Sequence, residues 1–240
     1  MTSRLDRRSR PGRPSRSGRR STGGGGGGGP LPLDPENIAV GDLAFITTGT
    51  AITPSLPSHN EGDLLLLFHH GYSTQNPVAP AGWSTLWSTT YPGADDAVYW
   101  KRAGAEESNP TVTVVSATQG GSSRILAVPG VHESTPFDVT PVQGTAAYQT
   151  AGAGVGNITP VTNGAVVLCG IWNHVDAGNF SITGPNGYFH LCGPGDAIGG
   201  QKREVTIGAR LLETAAAVNG FTTNASNSWC KTSLIALRPA

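Results

Sequence analysis

The chain has 240 residues, of which only 13% are charged, and it carries 34 glycines and 18 prolines. So few Lys and Glu leave little material for solvated helix faces, and so much Gly and Pro sets many turns, which argues for an all-β protein. The formal net charge of zero hides a division. Residues 1–22 hold eight arginines against one acid, a formal +7, while the other 218 residues hold eight bases against fifteen acids, a formal −7. A contrast of that size marks an electrostatic tail with its own partner.

The basic segment comes first. Arg4, Arg7, Arg8, Arg10, Arg13, Arg16, Arg19 and Arg20 alternate with Ser, Pro and Gly, and Asp6 is the one acid among them. Such a segment has almost nothing to bury, so it is expected to be disordered in isolation. Seven consecutive glycines, 23–29, follow as a flexible tether, with an extended polyglycine strand packed on other chains as the alternative. Pro30, Pro32 and Pro35 stiffen the approach to the folded part. The expected organisation is residues 1–37 as arm, tether and Pro-rich linker, and residues 38–240 as one β-sandwich domain. The Arg19-Arg20 pair is followed by glycines rather than an apolar run, so no targeting signal is expected. The longest apolar stretch, 64–68, is far short of a membrane span, and a soluble protein starting near Met1 is expected.

From residue 38 short β-rich runs recur between Gly, Pro, Asn and Asp clusters. Strands are predicted near 43–47, 63–70, 84–90, 97–102, 111–116, 123–128, 165–172, 180–183, 204–212 and 231–237. Turns are predicted at 92–95, 120–121 and 184–187. Strands of this length and spacing predict an antiparallel β-sandwich of jelly-roll type. Residues 64–68 and 165–168 are continuously apolar, as in strands shielded on both faces. In 204–211, Glu204, Thr206 and Arg210 alternate with Val205, Ile207 and Leu211, which predicts one wet face. No amphipathic helix is expected beyond one turn near 213–218. Trp83, Trp87, Trp100, Trp172 and Trp229 are the expected core anchors.

Three cysteines, Cys169, Cys192 and Cys230, fit no zinc spacing, and their odd number argues against a disulfide framework. Buried free thiols are expected. His69 and His70, adjacent in a strand, should point to opposite faces and cannot share a metal. His174, Asp176 and His190 form a weak metal candidate, and ordinary loop residues are the preferred reading. Asp95-Asp96 and Glu106-Glu107 are carboxylate pairs of the kind glycoside hydrolysis needs, but both fall in predicted turns, where exposed acids are ordinary. No nucleophile-elbow, zincin or P-loop motif occurs, and the glycines between 152 and 156 precede no helix. No catalytic residue, metal or cofactor is expected.

The ordered set Gly62-Asp63-Leu64-Leu65-Leu66-Leu67, Pro80-Ala81-Gly82-Trp83, Tyr99-Trp100-Lys101-Arg102-Ala103, Ala127-Val128-Pro129-Gly130-Val131-His132 and Thr135-Pro136-Phe137-Asp138 resembles a family of β-rich virion proteins of tailed bacteriophages and prophages. The resemblance covers about residues 40–240 and excludes the arm. It implies a non-enzymatic tail, fibre or head-decoration component, located in the virion and assembled in the host cytoplasm. The implied partners are other virion proteins (capsid, neck or tail), with a homo-oligomer, a trimer included, suiting such proteins. The arm is the expected anchor. Its guanidiniums suit phosphates as well, but it lacks aromatics for base stacking and the head is acidic, so a protein partner is favoured over nucleic acid. The alternative reading is a carbohydrate- or receptor-binding module, and a third is a polysaccharide hydrolase using the carboxylates above.

Overall fold

The computed structural model of the chain describes residues 32–71, 75–91, 94–114, 121–144, 147–149, 156–175, 182–183, 188–192, 202–218, 222–223 and 228–240. Their first half contains β1 (Ala39–Val40), β2 (Ala44–Ile46), β3 (Ala51–Ile52), β4 (Leu64–Gly71), β5 (Ser84–Tyr91), β6 (Ala94–Arg102), β7 (Val112–Thr113) and β8 (Gly121–Val128). Their second half contains β9 (Val142–Gln143), β10 (Ala147–Gln149), β11 (Ala165–Val175), β12 (Ile182–Thr183), β13 (Phe189–Cys192), β14 (Lys202–Leu212), β15 (Thr222–Thr223) and β16 (Ser228–Leu237). Sheet one runs β1-β8-β4-β6-β5 with β2 also on β8, and sheet two runs β10-β16-β11-β14-β13 with β9 also on β16. The expected all-β antiparallel sandwich is what forms. Its connectivity is simpler than jelly-roll winding, in which the chain alternates between sheets: here sheet one is filled before sheet two begins.

Alternating residues of each sheet meet in one core. Leu64, Leu66 and Phe68 of β4 cluster with Val166, Leu168 and Trp172 of β11, together with Leu126, Val128, Ile235 and Leu237. Each such buried side chain contributes about 1.5–3 kcal/mol. The opposite faces are covered as well, which explains the unbroken apolar runs. Val167, Cys169 and Ile171 pack under Ile158 and Val218, and Leu67 packs with Tyr99, Ile125 and Val112. This outer layer also corrects the wet face expected for β14: Thr206 is fully buried, whereas Leu211 is 37% exposed. Trp87 and Trp172 are core residues, Trp100 is partly buried against them, and Trp83 packs on the outer face rather than between the sheets. The Trp229 side chain lies outside the described residues.

The head also begins earlier than expected. Leu33 is buried in the main cluster, and Asp34 caps a 3-10 turn, Pro35–Asn37, by accepting from the Glu36 N–H at 2.8 Å. The segment expected as a linker over 32–37 is therefore packed on the sandwich.

The two sheets are wired alike. In each, the long central strand pairs with the last strand of its half on one side and with the third long strand on the other, whose far neighbour is the second. A glycine at positive φ opens each central strand, Gly62 (88°) before β4 and Gly164 (79°) before β11. An Ile-Thr-Pro triplet precedes each: Ile52 pairs with Val112, and Ile158 bridges Val218. Leu64 faces Val128 as Val166 faces Leu237, so Leu126-Ala127-Val128 and Ile235-Ala236-Leu237 occupy equivalent places. One strand plan is used twice.

Candidate functional site

The polar residues of the described head gather where β4, β6 and β8 run side by side. His70 pairs with Asp96 and Ser122, His69 pairs with Ala97 and Ser123, and Gly71 pairs with Asp95. Side chains alternate along a strand, so the two histidines leave on opposite faces and each meets one aspartate on its own face. All four are fully buried.

On the outer face, His69 Nε2 lies 3.2 Å from Asp95 Oδ2 and its Nδ1 lies 2.9 Å from Ser123 Oγ. With Nε2–H donating to the carboxylate, Nδ1 is left to accept from the serine hydroxyl. The carboxylate rests on bare backbone: a Cβ at Gly71 would stand 2.4 Å from Asp95 Oδ1. On the inner face, His70 Nδ1 donates to Asp96 Oδ1 at 2.6 Å and the Tyr91 hydroxyl donates to Asp96 Oδ2 at 2.8 Å. Lys231 reaches this layer from sheet two, its Nζ 4.8 Å from the Trp87 ring centre. Burial pushes the Lys231 ammonium below its usual value, with Asp96 pulling the other way. Trp172 ties the sheets together by donating from Nε1 to the His69 carbonyl at 2.8 Å.

Ser123, His69 and Asp95 have the composition of a hydrolytic triad, but the ring is turned round. In serine hydrolases Nε2 serves the nucleophile and Nδ1 the acid, and here the roles are exchanged. All three residues are fully buried, which leaves no face for a substrate. The array is a buried polar layer in which each histidine is paired with an aspartate, while Asp95 Oδ1 and Ser122 Oγ have no hydrogen-bond partner among the described residues. Removing one partner of a pair leaves the other buried and costs about 3–5 kcal/mol.

Asp95 and Asp96 are thus corrected: they are buried strand residues, not exposed turn acids. Being adjacent in β6 they cannot converge on one substrate. Glu106 is exposed, and Glu107 is held by Lys101 at 2.7 Å and by the Gly104 N–H, which together keep its carboxyl below the usual range. Cys169 and Cys192 are buried free thiols, and burial pushes Cys169 well up. His190 is exposed on β13. Asp176 and the side chains of His174 and Cys230 lie outside the described residues, as do Gly152 and the arm residues Arg4, Arg7, Arg8, Arg10, Arg13, Arg16, Arg19 and Arg20. Among the described residues no three His, Cys, Asp or Glu side chains group as a metal site, and no helix is long and apolar enough to cross a membrane.

The motif residues build turns and edges. Pro80-Ala81-Gly82 turns with Gly82 at φ 78°, and Trp83 N–H donates to the Pro80 carbonyl at 3.1 Å. Thr135-Pro136-Phe137-Asp138 runs along the end of β16, where Phe137 bridges Leu237 and meets Trp100 edge-on at 5.3 Å. Burial alone would raise Asp138, but hydrogen bonds from the Thr162 hydroxyl and from the Val161 and Thr162 N–H groups outweigh it and hold its carboxyl down. Comparison with protein-family models, curated proteins and solved structures finds no match for this chain.

The buried pairs left a trace in the sequence that motif reading missed. Two consecutive histidines close one predicted strand and two consecutive aspartates stand at the head of the next but one, a pattern an antiparallel ladder brings together face by face.

Proposed function

We propose that this chain is a non-enzymatic structural protein of a tailed-phage virion, a head-decoration or a tail or fibre component, anchored to its neighbours by the basic arm. The observation that carries the proposal is the split between a +7 segment with almost nothing apolar to bury and a −7 remainder that contains the sandwich. Eight guanidiniums attract an acidic surface over about 8–10 Å at ordinary salt and fork onto its carboxylates. The ordered motif set supports a virion protein, and each motif in the fold is a turn, a central strand or a packed edge rather than a reactive group. The buried His–Asp layer supports the same reading, because its histidines and aspartates pair with one another and are closed to solvent. Deleting residues 1–29 is expected to leave a folded, soluble head that no longer copurifies with particles; incorporation at the wild-type level sinks the anchoring idea.

A further inference from the structure

At one end of the sandwich the chain leaving β8 lies beside the chain leaving β16: Val131 bridges Pro239, and the Ala240 N–H donates to the Gly130 carbonyl at 2.9 Å. An open cleft of about 510 Å³ lies here, lined in part by Leu33, Leu211 and Pro239, with Asp34 and Glu213 as its acids. Leu211 is left exposed because β13 pairs with β14 only as far as Ala209. Pro32, the first described residue, also lines the cleft, so the arm joins the head at this wall.

The same end collects negative charge. The ladders pair Leu64 with Arg102 and Val128, and Ala165 with Leu212, so the starts of β4 and β11 lie with the ends of β6, β8 and β14. Glu36 precedes β1, Glu61 precedes β4, and Glu106, Glu133 and Glu213 follow β6, β8 and β14; they are the exposed glutamates of the described residues. The bases nearby are engaged, Lys101 by Glu107, Arg102 by the Gly62 and His132 carbonyls, and Arg238 by the Thr135 hydroxyl at 3.3 Å. None of these exposed glutamates forms an ion pair with a described residue.

An acidic cleft with apolar lining suits a basic segment that carries rigid apolar side chains. Residues 10–16, Arg-Pro-Gly-Arg-Pro-Ser-Arg, have that composition. The stretch 23–31, which ties the basic segment to the cleft wall, spans at most about 30 Å, and a Gly-rich chain of that length averages about 15–18 Å. The arginines are therefore held near this end at an effective concentration on the order of millimolar, against which a second copy at micromolar concentration competes poorly. Exposed ion pairs are individually weak and screened by salt, so such docking yields to a larger acidic surface.

We propose that this end of the head is the resting dock of the chain's own arm. Residues 10–16 lie in the cleft of the same molecule, their arginines on Asp34, Glu213 and the neighbouring glutamates, until a particle surface draws them away. The release step rests on the anchoring reading; the docking step does not. The test is the rate at which trypsin cuts the full-length chain after Arg8 and after Arg16, beside a synthetic peptide of residues 1–29 in the same solution. At low salt both bonds are expected to be cut about fivefold more slowly in the chain than in the peptide, and the gap should close near 0.5 M salt. A variant carrying Glu36→Gln, Glu61→Gln, Glu133→Gln and Glu213→Gln, all at exposed positions, should be cut as fast as the peptide. Leu211→Ser should lose part of the protection at any salt. Equal rates for chain and peptide at low salt, or full protection in the four-glutamine variant, overturn the proposal. Protection that grows with protein concentration, with a doubled mass by light scattering, would assign the dock to a second copy and overturn it as well. Loss of particle incorporation on deleting residues 1–29 is read separately, so anchoring and docking can each fail alone.

Discussion

In sheet one, β4 continues past Leu66 with Phe68 and His70; at the equivalent inner positions of β11 in sheet two, past Leu168, stand Gly170 and Trp172. Likewise Ser122 and Arg124 of β8 correspond to Lys231 and Ser233 of β16. The same strand plan thus holds two different fillings, and they are complementary. Gly170 leaves room for the Trp172 indole, since a Cβ there would fall 2.6 Å from a ring carbon, and the indole crosses to the sheet-one backbone at His69. The indole meets Trp87 edge-on at 4.8 Å and Phe68 at 5.8 Å, which closes the apolar core beside the polar layer. Turns and glycines fix the wiring; what faces across the interface decides each filling. A buried charge layer is tolerable on one sheet because the other gives it a wall and one cation.

That contrast can be broken in graded steps. The largest effect is expected from Asp96→Ala, which removes the partner of His70 and Tyr91 and the carboxylate nearest in charge to Lys231. Chemical denaturation should show a loss of about 3–5 kcal/mol, and a loss below 1 kcal/mol would mean that the layer contributes little to the fold. Gly170→Ala should cost about 1–3 kcal/mol by pushing the indole off its seat, with a shift in tryptophan fluorescence. An unchanged spectrum and melting curve would contradict the account of Trp172 as the closing wall.

Asp138→Asn tests a site far from the layer, where the Thr135–Asp138 run meets Val161 and Thr162. Its expected cost is about 1–3 kcal/mol at neutral pH. Because the folded carboxyl lies below its ordinary value of 3.8, its contribution is full above that value and fades as pH falls through the folded one. The variant should therefore lose part of the acid-limb slope of the wild-type protein, and an identical slope would refute the assignment. Smallest of all is Glu107→Gln on the Lys101 pair near the surface, expected below about 1 kcal/mol and weaker still in high salt.

Much of this architecture was legible beforehand. The central strands announced themselves as unbroken apolar runs at 64–68 and 165–168, because both faces of each sheet are covered. The polar layer was hidden by one boundary: with a turn placed over 92–95, Asp95 and Asp96 looked like solvated acids, whereas β6 already begins at Ala94. The repeated plan was hidden by unequal loops, residues 55–61 in one half against 161–163 in the other, which leave little more than Ile-Thr-Pro and a glycine in common. The charge split, by contrast, is a property of the sequence alone, and the motifs that carry the family resemblance lie in the head.

The measurement closest to the central proposal is quantitative particle incorporation of three forms: the full chain, the chain lacking residues 1–29, and a chain with Arg4, Arg7, Arg8, Arg10, Arg13, Arg16, Arg19 and Arg20 all changed to Gln. Anchoring by charge predicts that both altered forms fold and that both are lost from particles, with wild-type attachment weakening as salt is raised. Retention of the Gln form at the wild-type level would show that the head, and not the arm's charge, holds this protein in place.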